Sequence, residues 1–340
     1  MNKEEKINRF DPSGVGLTGN QLFGLPFNFE ESEIVILPVP WDVTASFGSG
    51  TAKAPGKIFE ASTQVDLYDF DNPEGWQRGY FMLEISDEIN NLNRTFAPKA
   101  KEIIRILENG GSFTDEVQKS VTDINEATKK MVQWVFSQSS TLLHRNKKVA
   151  ILGGDHSVPL GYYRALAEKY GEFGILQIDA HADLRKAYQG FDHSHASIMF
   201  NASNLSGLTK IVQFGVRDLC IDEIEFAKNS GGLINTMSWN STFEKLSEGA
   251  TWASICSDVV SQLPEKICLS IDIDGLDPAY CPKTGTPVPG GPNYDQLLFL
   301  LKYLKESGKE IIGFDICECG DADYDANVGA RLLYKMCNYL

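Results

Sequence analysis

Two short acidic segments carry the residue types that bind divalent metals. One contains Asp179, His181 and Asp183, and the other contains Asp272 and Asp274. Each segment follows an apolar run that predicts a buried strand. Because side chains alternate across a strand, residues two apart lie on the same face. The carboxylates and the imidazole can therefore project together where each strand ends.

A further histidine enlarges this set. His156 lies in the sequence Gly-Gly-Asp-His-Ser, just after a third apolar run, Val149–Leu152. In open α/β sheets, binding sites form beyond the carboxyl ends of the strands. Carboxylates packed at such an edge would repel one another and shift their pKa values unless cations lay between them. The pattern predicts a ligand set for two divalent metals: His156, Asp179, His181, Asp183, Asp272 and Asp274.

The composition of this ligand set indicates the metal and the reaction. Carboxylates with a minority of imidazoles suit hard or borderline cations such as Mn²⁺, whereas structural zinc sites use thiolates. Two metals that share carboxylates would lower the pKa of a shared water toward neutrality, which makes the water a nucleophile. The chemistry is then hydrolysis at carbon or phosphorus. Carbon is favoured because Gly153-Gly154 and residues 284–291 lack the lysine of a phosphate-binding loop.

Composition limits the classes of binding partner and the cellular compartment that we expect for this protein. The chain has 340 residues, 42% of them hydrophobic, and a formal net charge of −15. This charge disfavours nucleic acid as a partner, because phosphate binding needs clustered Lys and Arg, and it is compatible with a cationic substrate. No apolar stretch approaches the roughly 18 residues of a membrane span, and the N-terminus lacks a secretory signal. With seven scattered cysteines, we expect a cytoplasmic protein with reduced thiols.

Apolar strands alternate with amphipathic helices from residue 33 onward. This alternation predicts a parallel sheet covered by helices on both faces. Residues 1–32 are polar and rich in Gly, Asn and Phe, and we expect an irregular arm or a subunit contact there. Residues 33–340 are predicted to form a single catalytic domain.

The hydrophobic periodicity places the individual elements. Strands are predicted at Ile34–Val39, Lys148–Leu152, Phe173–Ile178, Ile211–Phe214, Ile267–Ile271 and Ile311–Ile316. Helices are predicted at Lys53–Val65, Lys101–Leu107, Thr122–His144, Leu160–Lys169, Ile221–Ala227, Trp252–Leu263, Asp295–Glu306 and Val328–Tyr339. Ser157 is predicted to cap the helix at Leu160, and the polar stretch Asn235–Ser247 is predicted to be a loop.

The segments around the candidate ligands resemble the three signature motifs of the ureohydrolase (arginase/agmatinase) family in order and spacing. These segments are Gly153–Ser157, Asp179–Asp183 and Ser270–Pro278. The resemblance covers most of the chain, from about Ile34 to the end. It implies an arginase-like three-layer α/β/α sandwich with a mainly parallel central sheet. It also implies two Mn²⁺ ions per subunit, with Ni²⁺ as the alternative, and a homotrimer or homohexamer.

The motif details are most similar to bacterial agmatinases. Arginases usually place an Asn two residues beyond the second aspartate of the histidine-containing motif, whereas here Leu184 and Arg185 follow Asp183. The segment Tyr280–Pro282 is also closer to agmatinases than to formimidoylglutamases. The implied reaction is hydrolysis of the guanidino group of agmatine to putrescine and urea, a step of polyamine biosynthesis.

The resemblance also implies a role for each motif residue. It implies that His156 and Asp183 bind the first metal, and that His181 and Asp274 bind the second. Asp179 and Asp272 would bridge the two metals. His195 matches the histidine that passes a proton to the leaving amine or positions substrate, and His193 is its nearby competitor. Glu318 matches the carboxylate that holds the guanidinium. Cys319 and Gly320 then depart from the polar residue and proline that are common in the family.

Alternatives remain open at both the substrate and the class level. Arginase, guanidinobutyrase and guanidine hydrolase activities would use the same scaffold, because specificity lies in loops that contact the substrate tail. A non-catalytic relative would keep the fold as a binding subunit, but it would require neither His195 nor Glu318. A hydrolase of the related deacetylase type would use one zinc and fewer carboxylates. Metal stoichiometry separates this last class from the others.

Overall fold

Parallel strands form the centre of the structure. The computed structural model describes residues 1–48 and 50–340, and within these ranges the strands pair into one eight-stranded parallel sheet. In chain order they are β1 (Ile34–Val39), β2 (Tyr80–Met82), β3 (Lys148–Gly153), β4 (Phe173–Ile178), β5 (Leu208–Phe214), β6 (Ile234–Met237), β7 (Lys266–Asp272) and β8 (Glu310–Cys317). Their order across the sheet is β2-β1-β3-β8-β7-β4-β5-β6.

Helices connect the strands. They are α1 (Lys3–Arg9), α2 (Ala54–Ser62), α3 (Asp87–Glu108), α4 (Asp115–His144), α5 (Leu160–Tyr170), α6 (Ile198–Ala202), α7 (Ile221–Lys228), α8 (Trp239–Ser247), α9 (Trp252–Ser261), α10 (Tyr294–Glu306) and α11 (Asp323–Tyr339). None of the helices within the described residues combines the length and apolar character needed to cross a bilayer.

The sheet is buried on both faces. Along β1, Ile34 and Ile36 pack into one core, whereas Val35, Leu37 and Val39 pack into the other. Residues of α2, α9, α10 and α11 complete the first core, and residues of α3, α4, α5 and α6 complete the second. A strand covered on both sides reads as a continuous apolar run, which explains the uninterrupted β1 sequence. The predicted three-layer α/β/α sandwich is confirmed.

The six predicted strands are all present, but the prediction of a loop at Asn235–Ser247 is wrong. This stretch contains the edge strand β6 and the helix α8, whose N-cap Ser238 accepts a hydrogen bond from the backbone N–H of Ser241. Both elements are short and lie at the edge of the sheet. Only Ile234 of β6 and Thr242 of α8 are buried. With so few buried positions, hydrophobic periodicity has little signal to detect.

Three helices begin several residues earlier than predicted: α3, α4 and α11, the last at Asp323 rather than Val328. Helix α3 begins at Asp87 and runs through Pro98, and α4 begins at Asp115. Their N-caps are Ser86 and Thr114, whose side chains accept hydrogen bonds from backbone N–H groups of the first turn. Pro98 removes one backbone hydrogen bond from α3, but the buried apolar face of the helix continues on both sides of it. Tertiary packing therefore overrides the local signal for a helix boundary.

The predicted cap of α5 is also wrong. Pro159 occupies the N-cap position of this helix. The backbone N–H and the hydroxyl of Ser157 instead donate to Asp155 Oδ1, at 3.0 and 2.5 Å. The Ser157 hydroxyl, which is predicted to cap the helix, therefore donates to the buried Asp155 carboxylate instead.

The first 32 residues contribute to the core. Helix α1 is followed by a segment in which Leu22, Phe23, Leu25 and Phe27 are buried against the α2 side of the sheet. The backbone N–H of Phe23 donates to the Ser62 hydroxyl at 2.9 Å. A role of this segment as a subunit contact stays a prediction.

Candidate metal centre and substrate cavity

The sheet topology brings the three motifs together. Strands β3, β8, β7 and β4 are consecutive neighbours, and their carboxyl ends carry His156, Glu318, Asp272 and Asp179, respectively. The register aligns Ile271 of β7 with Ile178 of β4 and with Ile316 of β8. Parallel strands end at the same edge of the sheet, so residues far apart in sequence converge there.

The first group of donor atoms surrounds the His156 imidazole. Its Nδ1 lies 3.0 Å from Asp179 Oδ2, 3.0 Å from Asp183 Oδ2 and 3.4 Å from Asp272 Oδ2. Its Nε2 lies 2.9 Å from the Ser270 hydroxyl. This contact on the far side of the ring orients Nδ1 toward the three carboxylates, as outer hydrogen bonds do in metal sites.

The second group lies around His181. Its Nδ1 is 3.1 Å from Asp274 Oδ2 and 3.5 Å from Asp179 Oδ1. Asp179 therefore faces both imidazoles, one through each carboxylate oxygen. The donor atoms of His156, Asp179 and Asp272 lie within 4.8 Å of one another, as do those of Asp179, His181 and Asp274. Two donor groups that share one carboxylate match the geometry of a two-metal site.

The electrostatics of these groups fit bound cations. Burial, followed by the charges of Asp274 and Asp179, holds the pKa of Asp272 well above its usual range. Burial and the Asp179 charge raise the pKa of Asp183 to about 7. Burial lowers the pKa of His156, but its contacts with Asp179 and Asp183 outweigh burial and raise it overall. Buried carboxylates that repel one another are stabilised by metal ions, so the residues present fit a binuclear centre.

Two site residues have strained backbones. Asp183 has a φ of 54° and Glu318 a φ of 60°, which is the left-handed region that non-glycine residues rarely adopt. Such conformations persist only where the surrounding structure imposes them, and they concentrate at functional sites. The backbone N–H of Glu318 donates to Gly154 O at 2.8 Å, which ties the end of β8 to the end of β3.

The Glu318 carboxylate is half satisfied. Oε1 accepts the His156 backbone N–H at 2.9 Å, whereas the buried Oε2 has no hydrogen-bond partner among the described residues. A Cβ atom at Gly285 would lie 2.9 Å from Oε2, so the absence of a side chain at Gly285 leaves this oxygen room. A guanidinium N–H is the kind of donor that would complete it.

His195 lies beside two of the proposed ligands. Its imidazole is buried and lines a cavity of about 180 Å³ together with His181 and Asp183, whereas His193 does not line this cavity. Burial and the neighbouring His181 lower the pKa of His195 to about 4. The cavity is therefore lined by one proposed ligand of each metal, both from the Asp179–Asp183 motif, and by the histidine proposed for proton transfer. Glu318 is not among its lining residues; it lies deeper, beside Gly285.

The cavity also contains residues that the motifs do not indicate. Ser46, Tyr188 and Asp218 come from three different loops and have no recognisable spacing. Arg185 lies above the Tyr188 ring, with 4.8 Å between the guanidinium carbon and the ring centroid. Asp218 follows the end of β5, and this position after a buried strand is the only sequence signal that favoured it.

Comparisons with known proteins identify the family of this chain. The family model described as "Arginase family" matches residues 32–339. The N(1)-aminopropylagmatine ureohydrolase of Thermus thermophilus is 29% identical over 308 residues, which cover 90% of this chain and 89% of that protein. The agmatinase of Bacillus cereus is 30% identical over 292 residues, which cover 86% and 84% of the two chains.

Solved structures share the fold. The agmatine ureohydrolase of Thermoplasma volcanium superposes with a TM-score of 0.71 at 22% identity, covering 99% of this chain and 97% of the other. The arginase of Bacillus cereus superposes with a TM-score of 0.63 at 20% identity, covering 90% and 98%. The family match spans nearly the whole chain, including every motif residue described above. The chain therefore belongs to the arginase family and is a hydrolase of the agmatinase-like ureohydrolase type.

Proposed function

We propose that this protein hydrolyses the guanidino group of agmatine, releasing putrescine and urea, with two Mn²⁺ ions bound at the site. The observation that carries the proposal is the pair of donor groups sharing Asp179, placed beside the buried His195. A bound pair of divalent metals would activate a water for attack on the guanidino carbon.

The chain's own residues supply the other parts of the reaction. The six proposed ligands are His156, Asp179, His181, Asp183, Asp272 and Asp274. In our proposal, the free Oε2 of Glu318 accepts a hydrogen bond from the substrate guanidinium. His195 carries a proton to the leaving amine nitrogen as the C–N bond breaks, because a largely neutral imidazole can take up a proton and release it.

The cavity rim supports a cationic tail. Asp218 lines the cavity and is exposed, and its carboxylate would attract the ammonium at the tail end of an amine-bearing guanidino substrate. Agmatinase and N(1)-aminopropylagmatine ureohydrolase are named for guanidino compounds with amine tails, whereas a further relative, proclavaminate amidinohydrolase, is named for an acid. Agmatine is the smaller of these two compounds, and we take it as the first candidate.

Arg185 favours a second candidate. Its guanidinium lines the same cavity and is only loosely paired, with Nε 3.8 Å from Glu223 Oε2. A cation at the rim would attract the carboxylate of a guanidino acid such as 4-guanidinobutyrate. Arginine, which carries both charges, and free guanidine, which has no tail, complete the set of alternatives.

A urea-release panel tests the proposal. Purified protein is loaded with Mn²⁺ or, separately, Ni²⁺ and assayed with agmatine, N(1)-aminopropylagmatine, arginine, 4-guanidinobutyrate and guanidine. We expect the highest kcat/KM with agmatine and Mn²⁺. A preference for 4-guanidinobutyrate would replace agmatine by the second candidate, and no urea from any substrate would refute the hydrolase role. Light scattering on the same sample tests the proposed homotrimer or homohexamer.

A further inference from the structure

We propose that Ser46 is a positioning residue that holds the His195 imidazole in its working orientation. The inference rests on the proposed role of His195 and adds a residue that the sequence motifs do not contain. Ser46 belongs to a segment that follows β1, which we call the strap and define as residues 44–48. The strap lies over the carboxyl edge of the sheet and contributes Ser46 to the cavity wall.

The strap is fixed at its first residue. The backbone N–H and the hydroxyl of Thr44 donate to Asp155 Oδ2 at 3.2 and 2.9 Å. The Thr44 hydroxyl oxygen in turn accepts the backbone N–H of His195 at 3.1 Å. Asp155 directly precedes the proposed ligand His156. One buried threonine therefore connects the metal motif to the backbone of the histidine that faces the cavity.

The strap is also fixed at its last residue. The backbone N–H of Gly48 donates to Gly285 O at 2.9 Å. A Cβ atom at Gly48 would lie 2.8 Å from the same oxygen, so only glycine allows this approach. Gly285 stands beside Glu318, and Thr286 donates to Asp274 Oδ2 at 3.1 Å. Both ends of the strap thus rest on segments that touch the site, which leaves Ser46 little freedom to move relative to it.

Ser46 contacts the ring of His195 directly. Its hydroxyl lies 3.3 Å from Nε2, and the hydroxyl of Ser194 lies 3.4 Å from Nδ1 on the opposite side of the ring. A hydroxyl can donate or accept a hydrogen bond. The imidazole therefore keeps a partner at both nitrogens whether it is protonated or neutral. A carboxylate in the place of either serine would favour only the charged form.

Removing the Ser46 hydroxyl would leave Nε2 buried without this partner. A buried polar atom without a hydrogen bond is unfavourable, so the ring would turn to seek another donor or acceptor. The Tyr188 ring, whose centroid is 6.4 Å from that of His195, meets the imidazole edge to face and limits the turn on that side. A misaligned ring transfers protons poorly but does not alter the remainder of the cavity. The expected effect is therefore on kcat rather than on KM.

Three variants test the inference in the metal-loaded enzyme with its best guanidino substrate. Ser46→Ala is expected to lower kcat about 10- to 100-fold, a part of what general acid–base catalysis contributes, with KM changed less than about threefold. Ser46→Thr retains the hydroxyl and is expected to recover kcat to within about threefold of the wild type. Ser112→Ala, in an exposed loop remote from the site, is the matched control and is expected to leave kcat and KM unchanged.

A crystal structure of metal-loaded Ser46→Ala supplies a readout that does not depend on turnover. We expect the His195 ring to be rotated or disordered while the six proposed ligands keep their positions. An unmoved ring together with an unchanged kcat would overturn the inference. If the wild type released no urea from any guanidino compound, the proposed function would fail, but the ring orientation would still test the positioning role of Ser46.

Discussion

The floor and the rim of the cavity are built differently. The floor is formed by the six proposed ligands, of which His181 and Asp183 line the cavity directly. Three of its four carboxylates accept backbone N–H groups. His181 N–H donates to Asp179 Oδ1 at 2.7 Å, Ala180 N–H to Asp274 Oδ1 at 3.1 Å, and Asp274 N–H to Asp272 Oδ1 at 2.9 Å. The rim consists of Arg185, Tyr188 and Asp218, which come from loops.

Because of this difference, we expect the floor to carry out the reaction and the rim to determine which substrate is preferred. Floor residues are fixed because strand ends and short backbone bonds determine their positions. The rim is looser: Asp218 is exposed, and Arg185 stacks on Tyr188 without a close ion pair. A rim of this kind can change from one family member to another without disturbing the floor. We therefore expect floor substitutions to abolish turnover and rim substitutions to redistribute it among substrates.

The largest expected effect is at the floor. Asp272→Ala removes a buried carboxylate of the donor group around His156, and we expect at least a 1,000-fold loss of kcat/KM together with loss of bound metal. Metal content by elemental analysis and urea release measure the two effects. Asp258→Asn is the control, because this exposed carboxylate pairs with Lys245 and does not line the cavity. Full activity of Asp272→Ala would refute its role as a ligand.

His195 lines the cavity but is not one of the six proposed ligands. His195→Asn is expected to lower kcat about 100- to 1,000-fold, in line with the contribution of general acid–base catalysis, while both metals stay bound. His193→Asn is the paired variant, and because His193 does not line the cavity its kcat should stay within about threefold of the wild type. The opposite result for the two variants would transfer the proton-transfer role to His193.

A smaller effect is expected at the rim. Arg185→Ala removes a cation from the tail end of the cavity, so kcat/KM should rise for agmatine relative to 4-guanidinobutyrate. Partly exposed charge pairs contribute about 0.2–1 kcal/mol, which predicts a change in this ratio of about two- to fivefold. Arg164→Ala is the control, since Arg164 also stacks on an aromatic ring, that of Phe136, but lies outside the cavity. A loss of all activity would place Arg185 with the floor.

The smallest effect on activity is expected at the ion-pair cluster around Asp71, which does not line the cavity. The ammonium groups of Lys302 and Lys335 each lie 2.6 Å from the Asp71 carboxylate, and together with the Tyr339 hydroxyl they hold its pKa below the usual range. This is the reverse of Asp272, whose pKa is raised. The cations beside Asp71 are lysine side chains of the protein itself, whereas the floor carboxylates would be neutralised by bound metal ions.

The lowered pKa of Asp71 gives a stability prediction. A carboxylate whose pKa is lowered by folding stabilises the fold above its unfolded pKa of about 4, and this stabilisation is lost as the pH falls further. Asp71→Asn should therefore reduce the free energy of unfolding at pH 7 by about 1 kcal/mol after solvent screening. The difference from the wild type should shrink below about pH 4. Urea denaturation at pH 7 and at a pH below about 4 measures the difference in the free energy of unfolding. An altered kcat would show that this cluster is coupled to the site.

Much of the fold and of the floor is predictable from the sequence because the signals are local. Each long apolar run, such as Phe173–Ile178, is a strand buried on both faces, and the proposed ligands follow such runs within a few residues. The edge strand β6 and helix α8 escaped prediction because few of their residues are buried. The start of α3 was missed because Pro98 resembles a boundary although tertiary packing carries the helix through it.

The sequence by itself determined which residue types meet at the site, since the spacing of Asp179, His181, Asp183, Asp272 and Asp274 already predicts a two-metal donor set. Only the tertiary structure decided which nitrogen of His156 faces the carboxylates, that His195 rather than His193 lines the cavity, and that Ser46 contacts it. The physical reason is sequence separation. Spacing along one strand end fixes which side chains share a face, but Ser46 and His195 meet only because the strap is bonded to Asp155 and Gly285.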